Sequence, residues 1–243
     1  MLPRFYCDPS LYSLAADCTM DLPGEAAHHA VRVLRLRPGD ALILFDGKGG
    51  EYTARVIDAG KDFRVTLDAW CERECEAPLS VTLVQALPGG DKMDWVVQKA
   101  VELGATMIQP VQSRRSVVRL AGERAEKRVT HWRQVAISAC EQSGRNHVPE
   151  VGAILDLTHY LSRPQSENSY ILSPHQGERL TVLPRPVNAV TLLIGPEGGF
   201  EKIEEDMARS AGFQPVTLGA RILRTETAGL AAIAAIMALW GDF

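Results

Sequence analysis

Val190-Thr-Leu-Leu-Ile194, a nearly unbroken apolar run, leads directly into Gly195-Pro-Glu-Gly-Gly199. A run of this kind, with almost no alternation of apolar and polar residues, is typical of a strand buried on both faces of a sheet. Such strands occur in α/β domains, where ligands bind beyond the carboxyl ends of the strands. This stretch therefore predicts both a fold class and the position of a site.

The sequence on either side alternates between strand and helix patterns. Strands are predicted at 81–87, 107–111, 169–172 and 216–218, and helices at 91–103, 123–142, 200–211 and 227–240. Strands that alternate with helices predict a mainly parallel sheet covered on both faces. The predicted α/β domain spans residues 79–243.

The first part of the chain has a different pattern. Short alternating runs at 41–45, 51–57 and 63–67 are separated by turn signals such as Asp46-Gly47 and Gly49-Gly50. This spacing predicts a small antiparallel barrel or sandwich over residues 1–73. Within these residues, a helix is predicted at 27–36, before the first strand. The acidic stretch 71–78, closed by a proline, is the candidate linker.

Composition narrows the class of protein. The chain has 243 residues, 46% hydrophobic and 23% charged, which is the balance of an ordinary globular protein. It shows no secretory leader and no apolar stretch near the roughly 20 residues that cross a bilayer, so we expect a cytoplasmic protein without a membrane partner. The net charge is −4, yet residues 113–145 carry eight Arg or Lys against three acidic residues. This basic segment is compatible with an RNA partner.

The absence of certain motifs argues against several kinds of site. The chain has no G-x-G-x-x-G after the first strand of the α/β domain, no P-loop and no G-x-S-x-G. Its five cysteines are scattered, and its histidines show no zinc-ligand spacing, so we expect reduced thiols and no metal.

Five segments carry a resemblance that spans nearly the whole chain. They are 28–35, 98–104 (Gln-Lys-Ala-Val-Glu-Leu-Gly), 141–145 (Glu-Gln-Ser-Gly-Arg), 194–200 (Ile-Gly-Pro-Glu-Gly-Gly-Phe) and 218–228 (Leu-Gly-Ala-Arg-Ile-Leu-Arg-Thr-Glu-Thr-Ala). In this order they resemble the bacterial 16S ribosomal RNA uridine-N3 methyltransferases, a family of the SPOUT superfamily. One departure is Gly89-Gly90, where relatives often carry a lysine.

The resemblance implies a fold, a cofactor and partners. It implies a small N-terminal RNA-binding domain of the PUA-like β-barrel kind and a SPOUT-type α/β domain whose C-terminal part forms a trefoil knot, a feature that no periodicity argument could predict. It also implies S-adenosylmethionine (SAM) as cofactor, 16S ribosomal RNA or the small ribosomal subunit as substrate, and a homodimer. The predicted helix at 227–240 is apolar around much of its circumference, which fits an interface and burial within one subunit equally well.

Three loops are implied to hold SAM. Their candidate residues are Leu172, Ser173, Pro174, Ile194, Gly195, Pro196, Glu197, Gly198, Gly199, Leu218, Gly219, Ile222, Leu223, Arg224 and Thr225. On spacing alone, Gly198-Gly199 fits a simple turn into the next helix as well as a ligand loop.

Methyl transfer to N3 requires loss of the imide proton, which a carboxylate could accept and an arginine could assist by stabilising the anion. The catalytic candidates are Arg145, Glu197, Arg224 and Glu226. Either glutamate could instead cap backbone N–H groups, and Arg224 could instead neutralise one of them.

The candidate RNA contacts are Arg4, Arg32, Arg35, Arg114, Arg115 and Arg145. Any one of these arginines could also be ordinary solvated surface. Three rival functions remain open: an RNA-binding module without catalysis, an α/β oxidoreductase, and a methyltransferase acting on ribose or transfer RNA.

Overall fold

The computed structural model describes residues 2–60, 63–174 and 176–243. The chain divides into two compact units, Met1–Glu76 with Cys140–Val148 and Ala77–Ala139 with Pro149–Phe243. The sequence did not predict that Cys140–Val148 joins the first unit, because the bonds that hold this segment come from residues far away in the chain. 

A five-stranded sheet in the order β1-β3-β4-β5-β2 forms the first unit. Its strands are β1 (Arg4–Tyr6), β2 (Thr19–Asp21), β3 (Ala41–Phe45), β4 (Glu51–Asp58) and β5 (Arg64–Cys71). β1 pairs in parallel with β3, and the other neighbours pair antiparallel. The antiparallel run of β3, β4 and β5 was predicted, whereas β1 and β2 are too short to show alternation. The helix predicted at 27–36 begins three residues earlier, as α1 (Gly24–His28), and ends earlier, after a π-helical turn at His29–Val33.

The core of this unit lies between the sheet and α1. It contains Phe5, Leu42, Leu44, Val56 and Leu67, each at most 1% exposed. Alternate residues of β4 and β5 supply part of it, whereas in β3 every residue after Ala41 is buried, so this strand has two covered faces.

A parallel sheet in the order β11-β13-β10-β12-β6-β7-β8, with β9 also paired to β7, forms the second unit. Its strands are β6 (Ser80–Ala86), β7 (Ala105–Gln112), β8 (Glu150–Val151), β9 (Leu155–Asp156), β10 (Ser169–Leu172), β11 (Glu178–Arg179), β12 (Ala189–Ile194) and β13 (Gln214–Thr217). Every strand pair in this sheet is parallel, which confirms the predicted sheet.

The helices of the chain beyond α1 are α2 (Lys92–Glu102), α3 (Gly122–Ser143), α4 (Leu157–Leu161), α5 (Lys202–Ser210) and α6 (Thr225–Trp240). β12 is buried along its length except at its first residue, as its apolar run predicted. At the start of α5 the Glu204 carboxylate accepts the Glu201 N–H at 2.8 Å, which caps the helix. Among the described residues, no helix is both long and apolar enough to cross a membrane.

Candidate functional site

The carboxyl ends of five neighbouring strands meet at one edge of the parallel sheet. These strands are β13, β10, β12, β6 and β7, and their parallel pairing directs the loops that follow them to the same side. The loops surround a cavity of about 690 Å³. That volume lies within the roughly 300–1,000 Å³ of sites for small molecules and cofactors.

The three predicted cofactor loops all line this cavity. The lining residues that the sequence predicted are Leu172, Ser173, Pro174, Ile194, Gly195, Pro196, Glu197, Gly198, Gly199, Leu218, Gly219, Ile222, Leu223, Arg224 and Thr225. The lining residues that it did not predict are Lys92, Arg115, Gln176, Phe200, Glu205, Val216, Thr217, Arg221 and Ala228. The structure thus brings together residues that lie up to 136 positions apart in sequence, from Lys92 to Ala228.

A buried hydroxyl joins two of these loops. Thr225, the first residue of α6, donates from Oγ1 to the Gly195 carbonyl at 2.5 Å. The same oxygen accepts a hydrogen bond from Gln85 Nε2 on β6 at 2.9 Å. Thr225 is only 6% exposed, so these two hydrogen bonds are shielded by the protein and fix the spacing between loops 195–199 and 218–225.

Thr225→Val tests this link between the loops. Valine keeps the shape of threonine but leaves the buried Gly195 carbonyl without its donor, a loss of about 1–3 kcal/mol. We expect the affinity for SAM to fall about tenfold or more, measured by calorimetric titration. Thr225→Ser, which keeps the hydroxyl, is the matched control and should lose less. Equal losses in both variants would contradict the role of the hydroxyl.

Glycine is required at one position of the third loop. Gly219 has φ +111°, a backbone conformation that other residues adopt only with strain, and a Cβ there would meet no atom within 4 Å. The conformation of the chain, rather than crowding, therefore selects glycine at this position.

Gly219→Ala should weaken SAM binding about tenfold, because a strain of about 1–3 kcal/mol is relieved when the loop moves away from its native shape. Gly212→Ala is the matched control. Gly212 follows α5 with φ +96° and equally open surroundings, and it does not line the cavity. We expect both variants to lose stability in urea and only Gly219→Ala to lose affinity for SAM. Unchanged SAM binding in Gly219→Ala would show that the loop shape is irrelevant to the ligand.

Lys92 connects two of the candidate catalytic residues. Its Nζ lies 2.8 Å from Glu197 Oε1 and 3.4 Å from Glu226 Oε2. Glu197 Oε1 also accepts the N–H of Gly89 at 3.0 Å. Ion pairs and a hydrogen bond therefore connect the loop after β6, the loop after β12 and the start of α6.

These contacts shift the two pKa values in opposite directions. Burial alone would raise the pKa of Glu197, but the hydrogen bond from Lys92 and the Gly89 N–H outweigh it and lower that pKa. The hydrogen bond to Glu197 raises the pKa of Lys92 despite partial desolvation. Both groups are consequently charged at neutral pH.

The structure does not pair Arg224 with either glutamate. Among the ion pairs of the described residues, those to Glu197 and Glu226 come from Lys92, while the exposed Arg224 lines the cavity. This pairing could not be foreseen from the sequence, because Lys92 and Glu197 are 105 positions apart. The only available signal was that Lys92 follows the first strand of the α/β domain.

Four of the six predicted RNA-contacting arginines are exposed. Arg32 lies in the π-helical turn of the first unit, and Arg35 lies two residues after that turn. Arg114 and Arg115 follow β7 in the second unit, where Arg114 pairs with Glu201 at 3.2 Å and Arg115 donates to the Gly198 carbonyl at 3.0 Å. Arg115 thereby lies at the cavity itself.

The other two arginines, Arg4 and Arg145, are buried within the first unit, which differs from the expectation of exposed RNA contacts. Arg4 is 7% exposed, binds Glu51 at 2.5 Å and also donates to Asn146. Arg145 is 4% exposed and forms a two-pronged pair with Glu76, with Nε 2.9 Å from Oε1 and a terminal nitrogen 2.5 Å from Oε2. Because these guanidinium groups are already paired and buried, a phosphate contact would require them to leave their carboxylates. Arg145 is also absent from the cavity lining, where a catalytic role had been expected.

No cluster of three or more metal-binding side chains occurs within residues 2–60, 63–174 and 176–243. 

Two family models match the chain. Residues 75–237 match an RNA methyltransferase domain, and residues 22–63 match an RNA methyltransferase PUA domain. The first match covers most of the second unit and the whole cavity.

Relatives match over nearly the full length. The ribosomal RNA small subunit methyltransferase E of Bacillus subtilis is 33% identical, covering 97% of this chain and 96% of the relative. The crystal structure of the enzyme of that name from Neisseria gonorrhoeae, bound to S-adenosyl methionine, is 46% identical with a TM-score of 0.92 and covers 100% of both chains. A Legionella pneumophila methyltransferase structure with bound SAM is 34% identical with a TM-score of 0.94, again covering 100% of both. The chain therefore belongs to the family of RNA methyltransferases whose curated members are called ribosomal RNA small subunit methyltransferase E.

Proposed function

We propose that this protein is a SAM-dependent methyltransferase that methylates N3 of a specific uridine in 16S ribosomal RNA. The observation that carries the proposal is the convergence of loops 172–174, 195–199 and 218–225 on one cavity of about 690 Å³. The names of the relatives, and the SAM held by two of the similar structures, point to the same cofactor and class of RNA.

The residues around the cavity fit SAM. Apolar side chains such as Leu172, Ile194 and Leu223 can pack against the flat adenine base of SAM. The backbone N–H and C=O groups of the loops can form hydrogen bonds with the edge of that base. Lys92, Glu197 and Glu226 carry a summed charge of −1 when all are ionised, so this cluster does not repel a positively charged sulfonium group.

The chemistry assigns distinct roles to the residues. Bound SAM supplies a methyl group on a positively charged sulfur. The uracil N3 is a neutral imide that becomes nucleophilic when its proton leaves, so a proton acceptor must face it. Glu197 lines the cavity, and its lowered pKa keeps it an ionised acceptor at neutral pH. Glu226 is the second carboxylate that pairs with Lys92. The exposed Arg224, which lines the cavity, is available to bind the RNA backbone.

The RNA partner is supported by charge at exposed positions. Arg32 and Arg35 in the first unit, with Arg114 and Arg115 in the second, are proposed to contact phosphates. We propose that Arg4 and Arg145 act by holding the first unit together.

Three further features are proposed from family membership. The C-terminal part of the second unit is proposed to form the trefoil knot of the SPOUT superfamily. The protein is proposed to be a homodimer, a state to which the partly exposed apolar residues of α6, such as Leu239 at 42% exposure, can contribute. A cytoplasmic location is proposed because the proposed substrate is ribosomal RNA.

Deletion of the gene, followed by mapping of N3-methyluridine in ribosomal RNA, tests the proposed function. We expect one N3-methyluridine to disappear from the small-subunit RNA and to return when the gene is restored. Loss of a ribose methyl group or of a transfer RNA mark, with all N3-methyluridine retained, would overturn the proposal and favour one of the rival substrates.

A further inference from the structure

Lys92 is a cation at the wall of the cavity whose N–H donors are not all used within the protein. An ammonium group has three N–H donors. Among the described residues, Glu197 Oε1 accepts a hydrogen bond from Lys92 Nζ at 2.8 Å, and Glu226 Oε2 forms an ion pair with it at 3.4 Å. Even if both oxygens are counted, at least one donor is left for a ligand, and the side chain, which lines the cavity, is 33% exposed.

The two glutamates hold this cation in place before any ligand arrives. Glu197 is itself fixed by the Gly89 N–H at 3.0 Å, and Glu226 lies in the first turn of α6. A donor fixed in advance stabilises developing charge without having to reorganise during the reaction. 

The other cations of the cavity are placed differently. Arg115 already donates to the Gly198 carbonyl at 3.0 Å, and Arg221 and Arg224 are exposed side chains without an ion pair among the described residues. The remaining charged side chain that lines the cavity is the acidic Glu205. Lys92 is thus the cation that lies closest to both candidate carboxylates.

We propose that Lys92 donates a hydrogen bond to a ring carbonyl oxygen of the target uracil and stabilises the negative charge that builds there as N3 loses its proton. The inference rests on the proposed function. In this step the N3–H bond breaks, the proton passes to the Glu197 carboxylate, and the electron pair remains on the imide and spreads onto O2 and O4. N3 then bonds to the methyl carbon, while the carbon–sulfur bond breaks and leaves its electron pair on sulfur.

The same arrangement selects uracil over cytosine. Uracil presents an N3–H donor beside carbonyl acceptors, which match a carboxylate beside an ammonium group. In cytosine N3 is a bare acceptor and an amino donor replaces O4, so the carboxylate would face an acceptor and a Lys92 that faces the O4 position would face a donor. Lys92 is therefore both a catalytic and a specificity-determining residue.

Lys92→Met tests the proposal on small ribosomal subunits from a strain that lacks the gene. We expect the single-turnover rate at saturating SAM to fall about 10²–10³-fold, the usual loss for one charge-stabilising donor. The pH–rate profile should move to higher pH, because N3 must now ionise without a nearby cation. Lys92→Arg, which keeps the charge and the donors, should recover part of the rate, and Lys202→Met, on the exposed face of α5, should match the wild type.

A substrate with a more acidic N3–H distinguishes this role of Lys92 from a purely structural one. Subunits that carry 5-fluorouridine have a more acidic N3–H, since fluorine withdraws electrons, so Lys92→Met should lose less on them than on normal subunits. The SAM dissociation constant from calorimetry should stay near the wild-type value. A wild-type rate in Lys92→Met, or a loss that lies wholly in SAM binding or is not reduced by 5-fluorouridine, would overturn the inference. If the wild-type enzyme makes no N3-methyluridine at all, the proposed function fails instead.

Discussion

Glu197→Gln is expected to lower the single-turnover rate of methyl transfer about 10²–10⁴-fold, the range usual for loss of a general base. Glutamine has the same shape and can still meet the Gly89 N–H, but it cannot take the N3 proton. The carboxylate of Glu197 is ionised at neutral pH. Because its pKa is lowered, it stays ionised even at a pH somewhat below the ordinary glutamate pKa of about 4.3. SAM affinity should change little, because the loop contacts of 195–199 are retained.

Glu201→Gln is the matched control for this prediction. The side chain of Glu201 is 36% exposed and paired with Arg114, compared with 35% for Glu197 paired with Lys92, and Glu201 does not line the cavity. Its rate should remain close to that of the wild type. Rapid-quench measurement of methylated RNA checks both variants, and a normal rate in Glu197→Gln would remove this residue as the proton acceptor.

Arg145→Met is expected to lower the free energy of unfolding by about 3–5 kcal/mol, because it leaves the mostly buried Glu76 carboxylate without its cation. The side chain of Arg145 is 5% exposed and that of Glu76 is 21% exposed. Segment Cys140–Val148 also supplies Asn146, which donates to the Arg73 carbonyl at 2.6 Å. Loss of the Arg145–Glu76 pair should therefore loosen the attachment of the whole segment to the sheet of the first unit.

Arg55→Met provides the comparison for Arg145→Met. Arg55 pairs with Asp68 at 2.9 Å in the same unit, but their side chains are 61% and 34% exposed. Exposed pairs contribute about 0–1 kcal/mol. Urea unfolding followed by circular dichroism should separate the two variants clearly. Equal, small losses would mean that Arg145 is not structural and would return it to the candidates for RNA contact.

The strand order of the sheet could not be predicted, but its parallel character could. The apolar runs of β6 and β12 carry enough local information to identify buried strands, and the rule that ligands bind beyond strand ends then located loop 195–199. The resemblance in segments 194–200 and 218–228 added the third loop. Each of these signals is local in sequence.

Contacts between residues that are distant in sequence were missed, because no local pattern reports them. Lys92 meets Glu197 across 105 positions, and Arg4 meets Asn146 across 142, so no periodicity connects them. An arginine has the same sequence signature whether it is exposed or buried against a carboxylate. The burial of Arg4 and Arg145 could therefore be known only from the folded chain.

Calorimetric titration of the protein with SAM tests the central claim most directly, namely that loops 172–174, 195–199 and 218–225 together form the binding site for the methyl donor. We predict saturable heat with one site per chain, weakened in both Thr225→Val and Gly219→Ala. Absence of heat in the wild-type protein, or binding that neither substitution alters, would contradict the account.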